Sequence, residues 1–351
     1  MQGRRSALEL VIIRSRPPYS QYDFWEGIPS NCQRIFQQEW FLLPASRHLP
    51  IVANLCHNIS LLTGRRKMST EEKLYTPSEW SKRYRSEELM SRFLIFAVNV
   101  TKKARNATKC LLDIPYGPTE RSKYDIYGID LPNDAPIFIF IHGGYWQELS
   151  KDFAGFAVPV LVANKIKVIS IVKIQDIICQ IKVAIETILS SAVDSGCRCV
   201  WICGHSAGAH LAAALLHDTK WIECMTERGY FPLIKGLLLA GGIYNLGPLT
   251  NTSYNEALKL SEDDIRELSF SILDTKGNNP IKNLKVIATV GECDSPVFIN
   301  ETREYAQKIM SFVDNVEYIL LRDNIDHFDI VENLLDAEFV LTRLILKYMN
   351  V

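Results

Sequence analysis

Features that would place a protein in a membrane or on nucleic acid are missing from this sequence. No apolar run among its 351 residues approaches the roughly 20 residues that a bilayer-spanning helix needs. Residues 8–13, an apolar stretch that follows Arg4 and Arg5, are too few for a secretory signal. The formal net charge of -1 gives no excess of basic groups for an anionic surface. We therefore expect a cytoplasmic protein without a membrane or nucleic-acid partner.

Cysteine and histidine patterns that bind metals are missing as well. The nine cysteines are scattered and include no C-x-x-C pair, which argues against a zinc site and a disulfide framework. Scattered unpaired cysteines fit a reducing compartment. His210 and His217 lie on one predicted helix, but two histidines seven residues apart are too few ligands for a metal. We expect no metal and no cofactor.

The length fits one large α/β domain with an added segment. Residues 1–67 show no clean periodicity, and we predict that they form an N-terminal extension. The clearer pattern begins at Ser69, where a hydroxyl residue precedes Glu71 and Glu72 as at the start of a helix. Residues 68–351 are therefore the predicted main domain.

Short apolar runs alternate with helical patterns through the main domain. The run at 135–141 is apolar throughout, as in a strand that is buried on both faces. Alternating strands and helices predict a doubly wound, mostly parallel sheet with helices on both faces. The predicted strands are 110–116, 124–129, 135–141, 167–172, 199–202, 234–240, 284–290 and 316–321, and the predicted helices include 174–189, 209–216, 297–312 and 328–348.

Residues 204–208 have the sequence GHSAG, which contains the pattern G-x-S-x-G with Ser206 at its centre. An apolar strand precedes the pattern and an Ala- and Leu-rich helix follows it. This is the context of a nucleophile elbow, a tight turn that holds a serine hydroxyl at the carboxyl edge of a sheet. Gly204 and Gly208 suit such a turn because a side chain there would collide with the flanking backbone.

Candidate partners of Ser206 follow two later strands. Asp294 comes after the strand at 284–290, and His327 comes after the strand at 316–321. The chain order serine, acid, histidine is that of the α/β-hydrolases. In this arrangement His327 is the general base and acid, and Asp294 orients it. Glu292 is the alternative acid, whereas Asp323 and Asp326 are more typical of turn residues.

The sequence HGGYW at 142–146 follows the strand at 135–141. Two glycines in this position allow backbone N–H groups to approach a reacting carbonyl oxygen, as one half of an oxyanion hole. We predict Gly143, Gly144 and Ala207 as the donors, each worth about 3–4 kcal/mol of the barrier. His142 is expected to make structural hydrogen bonds only.

These motifs resemble the kynurenine formamidases, or arylformamidases, of the α/β-hydrolase superfamily. The resemblance runs from about residue 68 to the end, and its motifs are HGGYW at 142–146, GHSAGAHL at 204–211, YTPSEW at 75–80, YDIY at 124–127, GIYNL at 242–246, DSPVF at 294–298 and DHFD at 326–329. It implies hydrolysis of N-formyl-L-kynurenine to L-kynurenine and formate, in tryptophan catabolism, by a cytosolic homodimer without a metal. Tyr145 and Trp146 are then candidates to contact the aromatic ring of this small-molecule substrate, and core packing is the alternative for both.

Two departures from the family pattern leave other functions open. Residues 1–67 have no counterpart in the resemblance, and near Lys173 about ten residues of a loop beside the pocket are absent. The HGG and elbow motifs also occur in carboxylesterases of the hormone-sensitive-lipase type, which is one alternative function. A hydrolase fold that is catalytically impaired by the missing loop, and that serves as a binding protein, is the other.

Overall fold

The computed structural model describes residues 10–13, 68–171, 177–274 and 280–349. Their strands form one sheet in the order β1-β9-β8-β7-β6-β4-β5-β3-β2. The strands are β1 Leu10–Ile13, β2 Cys110–Pro115, β3 Lys123–Tyr127, β4 Ile137–Ile141, β5 Lys167–Ile171, β6 Val200–His205, β7 Ile234–Ala240, β8 Ile281–Gly291 and β9 Val313–Leu321.

The sheet is mostly parallel. Strand β3 is antiparallel to both β2 and β5, and all other described pairs are parallel. Apolar side chains pack on each face, in two separate clusters, and every residue of β4 and β6 is buried. The predicted doubly wound sheet is confirmed. The central strands of the sheet have continuously apolar sequences because helices cover both faces.

Helices lie between the strands, and none of the described ones is both long and apolar enough to cross a membrane. The start predicted at Ser69 is confirmed, since the N–H of Glu72 donates to Ser69 Oγ. The helices are α1 Thr70–Leu74, α2 Ser86–Ala107, α3 Val158–Ala163, α4 Ile177–Asp194, α5 Ala207–Ala214, α6 Thr219–Glu227, α7 Asn255–Leu258, α8 Glu262–Leu268, α9 Pro296–Ile309, α10 Asp329–Glu332 and α11 Val340–Tyr348.

The prediction of one continuous helix over 328–348 is wrong. Helix α10 ends after one turn, a 3₁₀ turn follows at Asn333–Leu335, and α11 begins only at Val340. The Asp336 carboxylate accepts the N–H of Glu338, a local bond that competes with helix formation. Phe339 is buried and its backbone is extended, with φ -61° and ψ 136°, which interrupts the helix before α11.

Strand β1 extends the sheet beyond β9, with Leu10 opposite Tyr318 and Ile13 opposite Leu321. It belongs to the predicted extension 1–67, so that extension contributes at least one strand to the sheet of the main domain. The division at residue 67 stays a prediction. The short link near Lys173 lies outside the described residues.

Candidate active site

Ser206 stands at a strained turn between β6 and α5. Its φ is +56° and its ψ is -121°, a conformation that non-glycine residues rarely adopt and that concentrates at functional sites. Its N–H donates to the Ala240 carbonyl over 2.8 Å. A Cβ on Gly204 would lie 2.1 Å from the Gly208 carbonyl oxygen, and one on Gly208 would lie 2.1 Å from that of Ile141. Only glycine fits at either position, as the elbow pattern predicts.

His327 and Asp294 form a buried pair at the same edge of the sheet. The Nδ1 atom of His327 lies 2.6 Å from Asp294 Oδ2, with side-chain exposures of 3% and 0%. The other carboxylate oxygen, Oδ1, accepts the N–H of Ser295 over 2.7 Å. The carboxylate therefore holds the Nδ1 side of the ring and leaves Nε2 on the opposite side for another partner.

The elbow and the histidine loop are joined through His205, the residue before Ser206. Its Nε2 donates to the carbonyl oxygen of His327 over 2.9 Å, and the two rings lie 4.6 Å apart. Burial, and then the nearby His327, hold the pKa of His205 well below its ordinary value. A neutral His205 thus fixes the backbone of the histidine loop relative to the elbow without adding charge.

Gly241, directly after β7, allows the loop there to approach the imidazole. Its φ is +54°, and a Cβ at this position would lie 3.0 Å from His327 Nδ1. A side chain would therefore be strained and would crowd the pair with Asp294. Sequence reasoning did not single out this glycine.

The HGGYW loop passes close to the nucleophile. A Cβ on Gly143 would lie 2.9 Å from the Cβ of Ser206, and one on Gly144, whose φ is +98°, would lie 2.4 Å from the Glu148 carbonyl oxygen. Ala207 is the first residue of α5, so its N–H has no partner within the helix. Gly143 and Ala207 thus lie beside Ser206, and Gly144 is the next residue of the same loop. His142 Nδ1 lies 2.8 Å from the Gly143 carbonyl oxygen, in line with a structural role.

Tyr145 and Trp146 continue this loop with φ values of +47° and +56°. The Tyr145 ring stacks on Tyr254 at 3.9 Å. Trp146 is 8% exposed and meets the edge of His210 at 5.1 Å. Both rings are packed against neighbours, and Tyr145 is the more accessible of the two.

The segment around α1 lies over the loops of the site. The Tyr145 hydroxyl donates to the carbonyl oxygen of Tyr75, and the Ser295 hydroxyl donates to that of Leu74. These bonds join α1 to the oxyanion loop on one side and to the loop of Asp294 on the other. The motif YTPSEW therefore belongs to the site, although its sequence carries no catalytic pattern.

Glu301 of α9 is buried behind the site. Its Oε2 accepts the N–H groups of Tyr244 at 2.5 Å and Asn245 at 2.9 Å, and burial raises its pKa to about 7. These bonds fix the loop that begins at Gly241. Sequence reasoning missed Glu301, because nothing local distinguishes it from a surface carboxylate on an amphipathic helix.

The competing carboxylates have other partners. Glu292 Oε1 accepts the N–H of Asn324 over 2.7 Å, and Glu292 Oε2 lies 3.2 Å from Arg322 Nε. Asp326 Oδ1 accepts the N–H groups of Phe328 and Asp329, as a turn residue does. Neither carboxylate replaces Asp294 as the partner of His327 Nδ1.

A resident metal has no evident site in the described ranges, where no three or more histidine, cysteine or acidic side chains are grouped to hold one. His210 Nε2 and His217 Nε2 each have a protein partner, the Leu268 carbonyl and the Tyr305 hydroxyl, both at 2.9 Å. These two histidines therefore act in packing and hydrogen bonding.

Comparison with solved structures defines the class of fold. A structure named as a thioesterase from a Silicibacter species superposes with a TM-score of 0.62 at 21% identity, covering 79% of this chain and 98% of that one. An esterase from the archaeon Pyrobaculum calidifontis gives a TM-score of 0.51 at 16% identity, covering 75% of this chain and 93% of that one. The fold is that of the α/β-hydrolases. No protein-family model matches the chain.

Comparison with characterised sequences gives the family. A kynurenine formamidase from Salmo salar is 33% identical over 289 residues, which are 80% of this chain and 95% of that protein. One from Danio rerio is 35% identical over 287 residues, 79% of this chain and 94% of that protein. The chain belongs to the kynurenine formamidase family, and the resemblance carried by its motifs is confirmed. It is an enzyme of the hydrolase class.

Proposed function

We propose that this enzyme hydrolyses the formyl amide of N-formyl-L-kynurenine to L-kynurenine and formate, with Ser206, His327 and Asp294 as its catalytic triad. The observation that carries the proposal is the buried His327–Asp294 pair at 2.6 Å, next to a serine in a strained elbow. The names of its relatives supply the substrate.

The first half of the reaction transfers the formyl group to the enzyme. Ser206 Oγ attacks the formyl carbon while His327 Nε2 takes its proton, and Asp294 stabilises the resulting imidazolium. The oxyanion accepts hydrogen bonds from the N–H groups of Gly143, Gly144 and Ala207. The carbon–nitrogen bond then breaks, and His327 returns the proton to the aryl nitrogen, which releases kynurenine.

The second half regenerates the enzyme. Water attacks the formyl ester on Ser206 while His327 takes a proton from it. The ester bond breaks, the proton returns to Ser206 Oγ, and formate leaves. A formyl group carries only hydrogen on its carbonyl carbon, so the acyl side of the site needs little space. The aromatic group needs more, and we propose that Tyr145 and Trp146 contact it by stacking.

The direct test is turnover of N-formyl-L-kynurenine by the purified protein, followed by the absorbance of kynurenine, together with labelling of Ser206 by a fluorophosphonate probe. We expect turnover and labelling, and Ser206→Ala is the matched control for both. Labelling with brisk turnover of short acyl esters only would identify a carboxylesterase instead. A folded protein without labelling would favour a binding role.

The remaining family properties are proposed by analogy. A cytoplasmic location and a homodimer follow from the resemblance, and the catalytic domain is proposed to be residues 68–351. Light scattering on the purified chain tests the dimer, which a monomeric mass at micromolar concentration would exclude.

A further inference from the structure

A half-buried arginine, 23% exposed, lies behind the histidine loop, and no sequence motif marks it. Arg83 precedes α2, and its guanidinium contacts three carboxylates. Nε lies 2.8 Å from Asp326, and Nη1 lies 3.0 Å from Asp329 and 2.6 Å from Glu332. All three acids belong to the short segment that carries His327.

The geometry at Asp326 is a two-pronged ion pair. Arg83 Nε donates to Oδ2 over 2.8 Å, and Nη2 donates to Oδ1 over 3.0 Å. Such a fork fixes the plane of the carboxylate as well as its position. The side chain of Asp326 is fully buried, at 0% exposure, and removal of its partner would leave an uncompensated charge.

Asp326 passes this constraint to the catalytic loop. Its Oδ1 accepts the N–H of Phe328 at 2.8 Å and that of Asp329 at 2.9 Å, and its own N–H donates to Asp329 Oδ2 at 3.0 Å. These bonds hold the backbone on both sides of His327. The direction in which the imidazole leaves that backbone decides whether Nδ1 meets Asp294.

The charges around the loop are balanced by Arg83. Burial opposes the ionisation of Asp326, but the charge and hydrogen bonds of Arg83 outweigh it and lower the Asp326 pKa. Burial, and then the charge of Asp326, raise the pKa of Asp329 to about 8. Burial also raises the pKa of Glu332.

Two titratable side chains flank the imidazole itself. The Asp294 carboxylate lies on one side of it and the neutral His205 ring on another. Phe298 and Phe328 cover the ring at 5.1 and 5.5 Å. The Arg83 cluster supplies charges behind the loop.

We propose that Arg83 is a positioning residue for the reaction, which orients His327 through Asp326 and keeps negative charge behind the imidazole compensated. This inference rests on the proposed function, in which His327 is the base. Helix α2 supports the same loop by packing, because Phe93 lies 4.9 Å from the ring of Phe328.

The test compares Arg83→Gln and Arg83→Lys with the wild type. We expect Arg83→Gln to lower kcat by about 100-fold, since a small misplacement of a catalytic group has that cost, with KM little changed. Its acidic limb of kcat/KM against pH should move to higher pH, because unbalanced carboxylates favour the imidazolium. The positive charge of lysine in Arg83→Lys should return the acidic limb to the wild-type pH. Its kcat should recover only in part, because lysine cannot form the two-pronged ion pair with Asp326.

Two further arginines serve as controls. Arg92→Gln alters an exposed ion pair between Arg92 and Glu88 of α2. Its kcat and acidic limb should match those of the wild type. Arg105→Gln removes another partly buried arginine, which pairs with Asp125 and Asp152. It should destabilise the fold without moving the acidic limb, and so it separates a general loss of stability from misplacement of His327.

The rate of fluorophosphonate labelling, which does not depend on the natural substrate, distinguishes failure of this proposal from failure of the proposed function. If the wild type is labelled but does not turn over N-formylkynurenine, the labelling rates still test Arg83. If Arg83→Gln does not fold, Asp326→Asn is the second variant, because its amide oxygen can still accept the N–H groups of Phe328 and Asp329. It should show the loss of kcat, but the acidic limb of kcat/KM should not move to higher pH. A folded Arg83→Gln with wild-type kcat, labelling rate and acidic limb would overturn the proposal.

Discussion

Two regions next to Ser206 use histidine in opposite ways. On one side His327 contacts a buried carboxylate, with 2.6 Å between its Nδ1 and Asp294 Oδ2. On the other side His210 and His217 lie on the helix and 3₁₀ turn that follow the elbow, and both are packed among aromatic rings. His327 and His210 are buried and His217 is half-buried, and of these three only His327 has an acidic partner.

The aromatic side is a continuous stack. Phe270 lies between the two imidazoles, 4.7 Å from His210 and 4.6 Å from His217. Trp146 meets the edge of His210 on the side of the oxyanion loop. At the far end, His217 Nε2 and the Tyr305 hydroxyl share a hydrogen bond. Burial lowers the pKa of His210 to about 4 and that of His217 to about 3. These rings are therefore neutral near pH 7.

The difference teaches that the partner of a histidine decides its role, more than its burial or its distance from the nucleophile. A catalytic imidazole must gain a proton during the reaction, and a carboxylate makes that charge tolerable. An imidazole among aromatic rings resists protonation and serves as a flat group with one fixed hydrogen bond. The two regions can be tested against each other.

The largest effect is expected from loss of the nucleophile or the base. Ser206→Ala and His327→Ala should each lower kcat by about 10⁶-fold, and the double variant should lose little more, because the residues act as one unit. His210→Gln is the comparison on the aromatic side, and its kcat should fall far less. Full turnover by His327→Ala would remove the contrast altogether and with it the proposed triad.

Loss of the acidic residue of the triad should have the second-largest effect on kcat. Asp294→Asn should lower kcat by about 10⁴-fold, since an amide favours the wrong tautomer of the imidazole. Glu292→Gln, two residues earlier in the same loop, is the matched control and should stay close to the wild type because that carboxylate binds Asn324 and Arg322. Steady-state kinetics on both variants decide the assignment, and a reversed order of the two losses would move the acid role to Glu292.

A smaller effect, on stability, concerns the aromatic side. A histidine with a depressed folded pKa stabilises the fold fully above the unfolded value near 6.5, and this contribution declines as the pH falls toward the folded value. At pH 5 the loss for His217 is about 2 kcal/mol by this reasoning. His217→Phe removes the group that titrates, so its melting temperature should fall less between pH 7 and pH 5 than that of the wild type.

Phe312→Leu is the control for that measurement. It alters a ring 5.6 Å from His217 and removes no titratable group. Its melting temperature should therefore keep the pH dependence of the wild type, even if it is lower throughout. Glu301 and Asp329, whose pKa values are raised to about 7 and about 8, act in the opposite direction and are common to all these proteins. An unchanged pH dependence in His217→Phe would contradict a His217 that stays neutral in the folded protein.

The smallest effect on turnover is expected from deletion of residues 1–67, because both regions lie downstream of them. We expect kcat to stay near the wild-type value, while the melting temperature falls because β9 loses its pairing with β1. A soluble truncated protein that has lost activity would show that the extension acts on the site.

The sequence predicted the parts of the site that depend on local pattern. The glycines of the elbow and of the HGG loop reflect steric limits within a few residues, and the carboxyl ends of parallel strands meet at one edge. For these reasons Ser206, Asp294 and His327 could be placed together without a structure. Their individual roles remain to be tested by the substitutions above.

Partners that are distant in the chain could not be predicted. Arg83 and Asp326 are separated by 243 positions, and each alone resembles a surface charge. The stack of Tyr145 on Tyr254 and the packing of His210 on Phe270 depend in the same way on how loops from different strands meet. The break between α10 and α11 could not be predicted because the helical pattern continues across it, whereas the extended Phe339 and the local bond of Asp336 interrupt the helix.

Strand β1 near the start of the chain pairs with β9 near its end, with Leu10 opposite Tyr318. During synthesis β1 leaves the ribosome about 300 residues before its partner strand β9. The sheet therefore gains this edge pairing only after β9 has been translated, and the central strands can assemble before it. Pairings between strands so distant in the chain slow folding, because the entropy of bringing them together is lost before the contact forms. The order of assembly would place the edge strand as the last element to dock and the first to separate.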